Sequence, residues 1–209
     1  YLGDATSTVE PFDPNKIPLT NLAEKYEGEG EYLRYRYTES GVSPRLIPGK
    51  TKHLVTADSD EHDERGWITE SAEVRTSMMD KRMKKLAGIK RELQEPEFIG
   101  EDGFDTLLLG WGSPWGPIAE AVALLNQAGK ERYAALVFGD IFPLPQKLLL
   151  EHAPKAKRLI NVEQNATGQL AGLVREETGF ACTGSILKYD GRQISAEEIV
   201  QRVQKEASK

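Results

Sequence analysis

The densest run of groups able to do chemistry is Asp58-Ser59-Asp60-Glu61-His62-Asp63-Glu64-Arg65-Gly66, in which carboxylates flank an imidazole. A calcium loop of the EF-hand type would place glycine at its sixth position and glutamate at its twelfth. Counting from Asp58 gives Asp63 and Thr69, so that chemistry is excluded. Zinc sites are built on clustered histidine or cysteine ligands, with Asp or Glu carboxylates joining them in some. The three histidines, His53, His62 and His152, are far apart in sequence, and no metal ligand is assigned. His62 is instead expected to order its segment through hydrogen bonds.

A second group of candidates lies in three loops that each follow a short apolar run. The first is Gly110-Trp111-Gly112-Ser113-Pro114-Trp115-Gly116, whose glycines allow close backbone approach to a ligand or another chain. Its glycine spacing is not that of a dinucleotide fingerprint, and no Gly-Lys-Ser or Gly-Lys-Thr follows to make a P-loop. Tryptophans are frequent anchors of protein contacts, so Trp111 and Trp115 are interface candidates. The second loop is Gly139–Pro145 and the third Glu163–Gln169. Asp140 and Glu163 are titratable, but neither has a histidine or second carboxylate in its own loop to form an acid–base pair. Capping or loop ordering is the expected role of both, and Asn165 or Thr167 suits the start of a following helix. Ser43 and Ser113 lack the setting of an activated nucleophile. No catalytic residue is assigned; Gly112, Ser113, Asp140 and Asn165 remain as ligand-binding candidates.

The elements that carry these loops can be read from periodicity. Phe104–Leu109, Tyr133–Phe138 and Arg158–Val162 are short and nearly continuous apolar runs, as strands buried on both faces should be. Amphipathic helices are predicted between them. One starts near Pro117, buries Ile118, Ala121, Val122 and Leu125, and stops at Gly129. Others span Pro145–His152 and Gln169–Thr178, the latter ending at Gly179. In the last helix Ser195 and Glu198 form a capping box ahead of Ile199, Val200 and Val203. Alternation of this kind calls for a three-layer α/β domain with a mostly parallel sheet over 98–209. In such a sheet, ligands bind outside the carboxyl ends of the strands, where the three loops fall.

Residues 1–97 have a different grammar. They are rich in proline, glycine and charge, with turns at Asp13-Pro14 and Pro48-Gly49, and read as a long extended connector lying across a surface. One helix is predicted in it, over about 71–93, capped by Thr69 or Ser71. Met79, Met83, Leu86 and Leu93 form its apolar stripe, and Lys81, Arg82, Lys84 and Lys85 a solvated face.

Composition narrows the partners. A net charge of -6 disfavours nucleic-acid binding, for which that basic helix face is the one local candidate. No apolar run is long enough for a membrane helix and no signal peptide is evident, so a cytoplasmic protein is expected. A single cysteine, Cys182, cannot hold an iron–sulfur cluster. The chain opens at Tyr1 rather than methionine, and a missing upstream piece is expected.

Taken together, GVSPRLIPG (41–49), SDEHDERGWITE (59–70), EVRTSMMDKRMKK (73–85), LLLGWGSPWGPIAEAV (107–122) and NVEQNATGQLAGLVRE (161–176) resemble one family across nearly the whole chain. They are similar to the alpha subunit of 2-oxoacid, especially 2-oxoglutarate, ferredoxin oxidoreductases. The resemblance implies a transketolase C-terminal-like α/β domain. It also implies that Tyr1–Asp13 leads out of a pyrimidine-binding domain that is absent here. Family members decarboxylate a 2-oxoacid on thiamine diphosphate with Mg, pass electrons through a [4Fe-4S] cluster to ferredoxin, and release an acyl-CoA. The resemblance places those cofactors mainly on the beta subunit and the upstream domain, so this chain would hold none. It would be a structural and subunit-contact piece, inactive alone. Arg45, His62, Trp111 and Trp115 are the contacts to the beta subunit and the pyrimidine-binding domain to be expected. The alternative is a self-contained CoA- or nucleotide-binding α/β protein using the Gly110, Asp140 and Asn165 loops.

Overall fold

The computed structural model describes residues 26, 28–49, 51–129 and 131–207. The Tyr1–Asp13 stretch and the Asp13-Pro14 turn discussed above lie outside the described residues. The chain divides into two compact units, the first ending at Gly88 and the second beginning at Ile89.

In the first unit the described residues before Ala72 form turns and bends, with an isolated bridge between His62 and Ile68. Hydrogen bonds take over the ordering role that a sheet would have. Asp63 closes the tightest turn: its Oδ1 accepts the amides of Arg65 at 2.8 Å and Trp67 at 3.1 Å. Tyr35 N donates to the Glu64 carbonyl at 2.9 Å, tying the early connector to this turn.

Helix α1 spans Ala72–Ile89. Ser71 caps it, its Oγ accepting Val74 N at 3.3 Å. The helix stops at Ile89 rather than near Leu93, with Gly88, a poor helix former, in its last turn. Its packed face also differs from the predicted stripe. Met78 is buried, whereas Met83 is half exposed and Leu93 lies beyond the helix. Lys81, expected on a solvated face, is buried, and Arg82 is engaged by Glu61. The reason is the partner surface: the connector offers main-chain carbonyls and carboxylates, so α1 packs on it with a partly cationic face.

Gly41 shows how closely the two approach. Its φ is +77°, and a Cβ there would lie 2.5 Å from the Lys81 carbonyl oxygen and 2.8 Å from Lys85 N. Only glycine meets both demands.

The second unit is built from β1 (Glu97–Ile99), β2 (Thr106–Trp111), α2 (Trp115–Ala128), β3 (Tyr133–Phe138), α3 (Lys147–His152), β4 (Arg158–Glu163), α4 (Gln169–Thr178), β5 (Gly184–Leu187) and α5 (Ala196–Ala207), with a 3-10 turn, Ala153–Lys155, after α3. The sheet order is β1-β3-β2-β4-β5, parallel throughout except for β1, which runs antiparallel to β3. The three apolar runs read from sequence are its three central strands. The edge strands β1 and β5 were not predicted, being three and four residues long. On one face Leu108, Ile160 and Val162 pack with α2 and α5 through Ile118, Val122 and Ile199. On the other, Leu107, Leu109 and Leu159 pack with α3 and α4 through Leu149, Leu170 and Val174. This is the three-layer α/β architecture expected. The capping box of α5 is present in both directions, Glu198 N to Ser195 Oγ at 3.2 Å and Ser195 N to Glu198 Oε2 at 3.1 Å.

Candidate functional site

The carboxyl ends of β2, β3 and β4 bring the three loops to one end of the sheet, and Glu163 is the hub. It closes β4 on the same strand face as Leu159 and Asn161, because side chains alternate along a strand. That face looks toward α4, and Glu163 is completely buried. A buried carboxylate must find donors, and this one has five. Asn161 Nδ2 donates to Oε1 at 2.9 Å, Asn165 Nδ2 to Oε2 at 2.7 Å, and Trp111 Nε1 to Oε2 at 3.4 Å. The amides of Leu170 (2.9 Å) and Ala171 (3.1 Å), in the first turn of α4, complete the set. Burial works to raise the pKa of Glu163, but the Leu170 and Ala171 amides and the Asn165 and Asn161 side chains outweigh it and hold the carboxyl below its ordinary value. The group is thus a charged anchor for the start of α4, where the helix dipole also favours an anion.

Asn165 organises the rest of the loop. Its Oδ1 accepts Gly168 N at 2.7 Å and Thr167 N at 3.1 Å, so both ends of its amide are occupied. Gly168 has φ +65° and is buried beneath this network. Ser185 Oγ on β5 donates to Asn161 Oδ1 at 2.5 Å, extending the chain of polar contacts across the sheet. Asn161 and Ser185 were missed in the sequence. The signal was present in Asn161, Glu163 and Asn165, polar residues two apart at the end of an otherwise apolar strand.

The other candidates fall around this hub. Gly112 (φ +66°) and Ser113 form the exposed turn from β2 into α2. Asp140 follows β3 and accepts Gln94 N at 2.8 Å. Trp111 is 36% exposed and Trp115 46% exposed, with Trp115 Nε1 donating to Glu97 Oε2 at 2.8 Å. Phe142, which the sequence reading did not single out, is 67% exposed in the loop after β3. The strand ends therefore combine internally satisfied polar groups with outward aromatic rings.

The remaining candidates, Arg45 and His62, belong to the first unit. Arg45 is exposed. His62 is buried within its own unit, its ring 3.9 Å from that of Tyr35 and its Nδ1 2.8 Å from the Asp60 carbonyl. The neighbouring Glu61 binds Arg82 through both oxygens (2.7 and 3.2 Å) and Arg75 at 2.5 Å. Hydrogen bonds from Arg82 and then Arg75 lower its pKa to about 2. The EHDE segment is thereby pinned to α1.

Two of the sequence motifs thus interlock in each unit, and the same motifs recur in known proteins. The chain is 33% identical over 200 residues to the alpha subunit of 2-oxoacid:ferredoxin oxidoreductase 2 from Aeropyrum pernix, covering 94% of this chain and 30% of that protein. It is 33% identical over 203 residues to the alpha subunit of 2-oxoacid:ferredoxin oxidoreductase 1 from Sulfurisphaera tokodaii, covering 95% and 31%. The chain is a homologue of 2-oxoacid:ferredoxin oxidoreductase alpha subunits. It spans less than a third of the length of these relatives. Among solved structures, the 2-oxoglutarate:ferredoxin oxidoreductase from Magnetococcus marinus, with 2-oxoglutarate, coenzyme A and succinyl-CoA bound, matches with a TM-score of 0.75 and 29% identity, over 88% of this chain and 32% of that one. No family model matches the chain.

An iron–sulfur cluster, which the family implies for the complex, does not suit the donors present. Such clusters take several thiolates, whereas the sequence has one cysteine, whose thiol is pushed up to about 11, chiefly by burial. Among the described residues no three His, Cys, Asp or Glu side chains gather as a metal site. No helix among them is long and apolar enough to cross a membrane.

Proposed function

We propose that this chain is the contact-making part of an alpha subunit of a cytoplasmic 2-oxoacid:ferredoxin oxidoreductase, a complex that decarboxylates a 2-oxoacid to an acyl-CoA while reducing ferredoxin. The homologous alpha subunits support the reaction class. The bound 2-oxoglutarate and CoA named for the Magnetococcus marinus enzyme favour 2-oxoglutarate as the acid. Thiamine diphosphate, Mg and the cluster then belong to the beta subunit and a pyrimidine-binding domain, which are the partners of this chain.

The observation that carries the contact role is the division of labour at the strand ends. Glu163 and Asn165 spend their hydrogen-bonding capacity on this chain's own backbone and side chains and Asp140 commits one oxygen to Gln94 N, while the rings of Trp111, Trp115 and Phe142 are partly exposed. A carboxylate that already accepts five hydrogen bonds has little capacity left to exchange a proton with a substrate, whereas exposed aromatic rings are what contact surfaces use.

The test is reconstitution. Mixed with the beta subunit and the pyrimidine-binding domain, the chain should co-elute with them and restore 2-oxoglutarate-dependent reduction of ferredoxin. Trp111→Ala with Trp115→Ala should weaken that assembly at least tenfold, as loss of anchor tryptophans does. Turnover by the chain alone, or saturable protection of it by CoA alone, would overturn the reading.

A further inference from the structure

The first unit contains a cleft of about 160 Å³ between the connector and α1. Its cations come from both sides: Arg34 and Arg45 from the connector, Lys81, Arg82 and Lys85 from the helix. Two carboxylates are near. Glu61 is saturated by Arg82 and Arg75, and Glu64 spends one oxygen on Tyr37 N at 2.7 Å. Among the described residues Arg34, Arg45 and Lys85 form no ion pair, and the Arg34 guanidinium lies 4.9 Å from the centroid of the Tyr35 ring.

Lys81 is the unusual member. It is 9% exposed, and its Nζ has one acceptor among the described residues, the Tyr35 carbonyl at 2.7 Å. An ammonium carries three protons to donate, so a buried lysine with one acceptor in a cationic cleft is undersupplied with negative charge. Burial, then Lys85 and Arg34, lower its pKa to about 8. An anion in the cleft would reverse that pressure and complete the hydrogen bonding.

We propose that the cleft bounded by Arg34, Arg45, Lys81 and Lys85 is an oxyanion site that takes a phosphate group. Guanidinium forks from Arg34 and Arg45 match the edges of a phosphate, and the lysines supply point charges against its double negative charge. The site is independent of the subunit-contact role proposed above, because it lies wholly within the first unit and invokes no partner.

Calorimetric titration of inorganic phosphate into the whole chain, at constant ionic strength, tests it. Saturable one-to-one binding is expected. Arg45→Gln and Lys85→Gln alter exposed side chains and should each weaken it about tenfold, the effect of losing one charge-assisted hydrogen bond. Lys84→Gln, on the same helix but outside the cleft, should leave binding unchanged. A parallel titration with glycerol 3-phosphate assigns the source: tighter binding than inorganic phosphate marks a phosphate ester, equal binding the free ion. Absence of saturable binding, or equal losses in Lys84→Gln and Lys85→Gln, would overturn the site.

Discussion

Glu163, the last residue of β4, accepts the backbone N–H of Leu170 at 2.9 Å, so the end of a central strand is bonded directly to the first turn of the helix that follows it. The five loop residues between strand and helix, 164–168, are thereby fixed at both ends. The polar face of β4 serves to hold α4 against the sheet.

Glu163→Gln keeps the volume but replaces one acceptor oxygen with an NH2 group that meets amide donors. The cost should be about 3 kcal/mol, from the loss of charged hydrogen bonds and the unsatisfied donors left behind. Urea unfolding followed by tryptophan fluorescence would measure it. A loss under about 0.5 kcal/mol would mean that the network does not hold the loop.

The first unit should show acid sensitivity through Glu61. Its pKa is lowered from 4.5 unfolded to about 2 folded by Arg82 and Arg75. A depressed carboxylate contributes stability that is fully present above the unfolded value and is lost as pH falls through the folded one. Stability of this unit should therefore decline between pH 4.5 and about 2. Glu61→Gln should flatten that decline while lowering stability at neutral pH. Hydrogen exchange of α1 amides across this range provides the readout.

Gly41 and Gly49 separate two costs. Both have positive φ, +77° and +79°, but only Gly41 would drive a Cβ into the α1 backbone; nothing lies within 4 Å of the corresponding position at Gly49. Gly49→Ala should cost about 1 kcal/mol for the left-handed conformation alone. Gly41→Ala adds the steric displacement and should cost about 3 kcal/mol. Denaturant midpoints of the two variants give the comparison, and equal costs would mean that the connector yields freely.

Much of the second unit was legible because its central strands are buried on both faces, and burial writes a continuous apolar run such as YAALVF. The capping of α5 was legible because its partners, Ser195 and Glu198, are three residues apart. Strands β1 and β5 were not, since β1 gains its conformation from β3 and β5 from β4. For α1 the apolar-stripe rule failed because its packing partner is polar main chain: Lys81 is buried by a carbonyl that arrives from Tyr35, forty-six residues away. At the candidate site, Trp111 and Trp115 could be named from their glycine-rich setting. The partnership of Asn161, Glu163 and Ser185 depends on strand register, which local sequence does not specify.

The brevity of β1 and β5 has a bearing on self-association. A free sheet margin recruits further strands in proportion to its unpaired amides and carbonyls. Margins of three and four residues give a stray polypeptide little to zip onto. An enlarged assembly formed by the second unit would have to grow through side chains, chiefly the aromatic rings at the strand ends, rather than by lengthening the sheet.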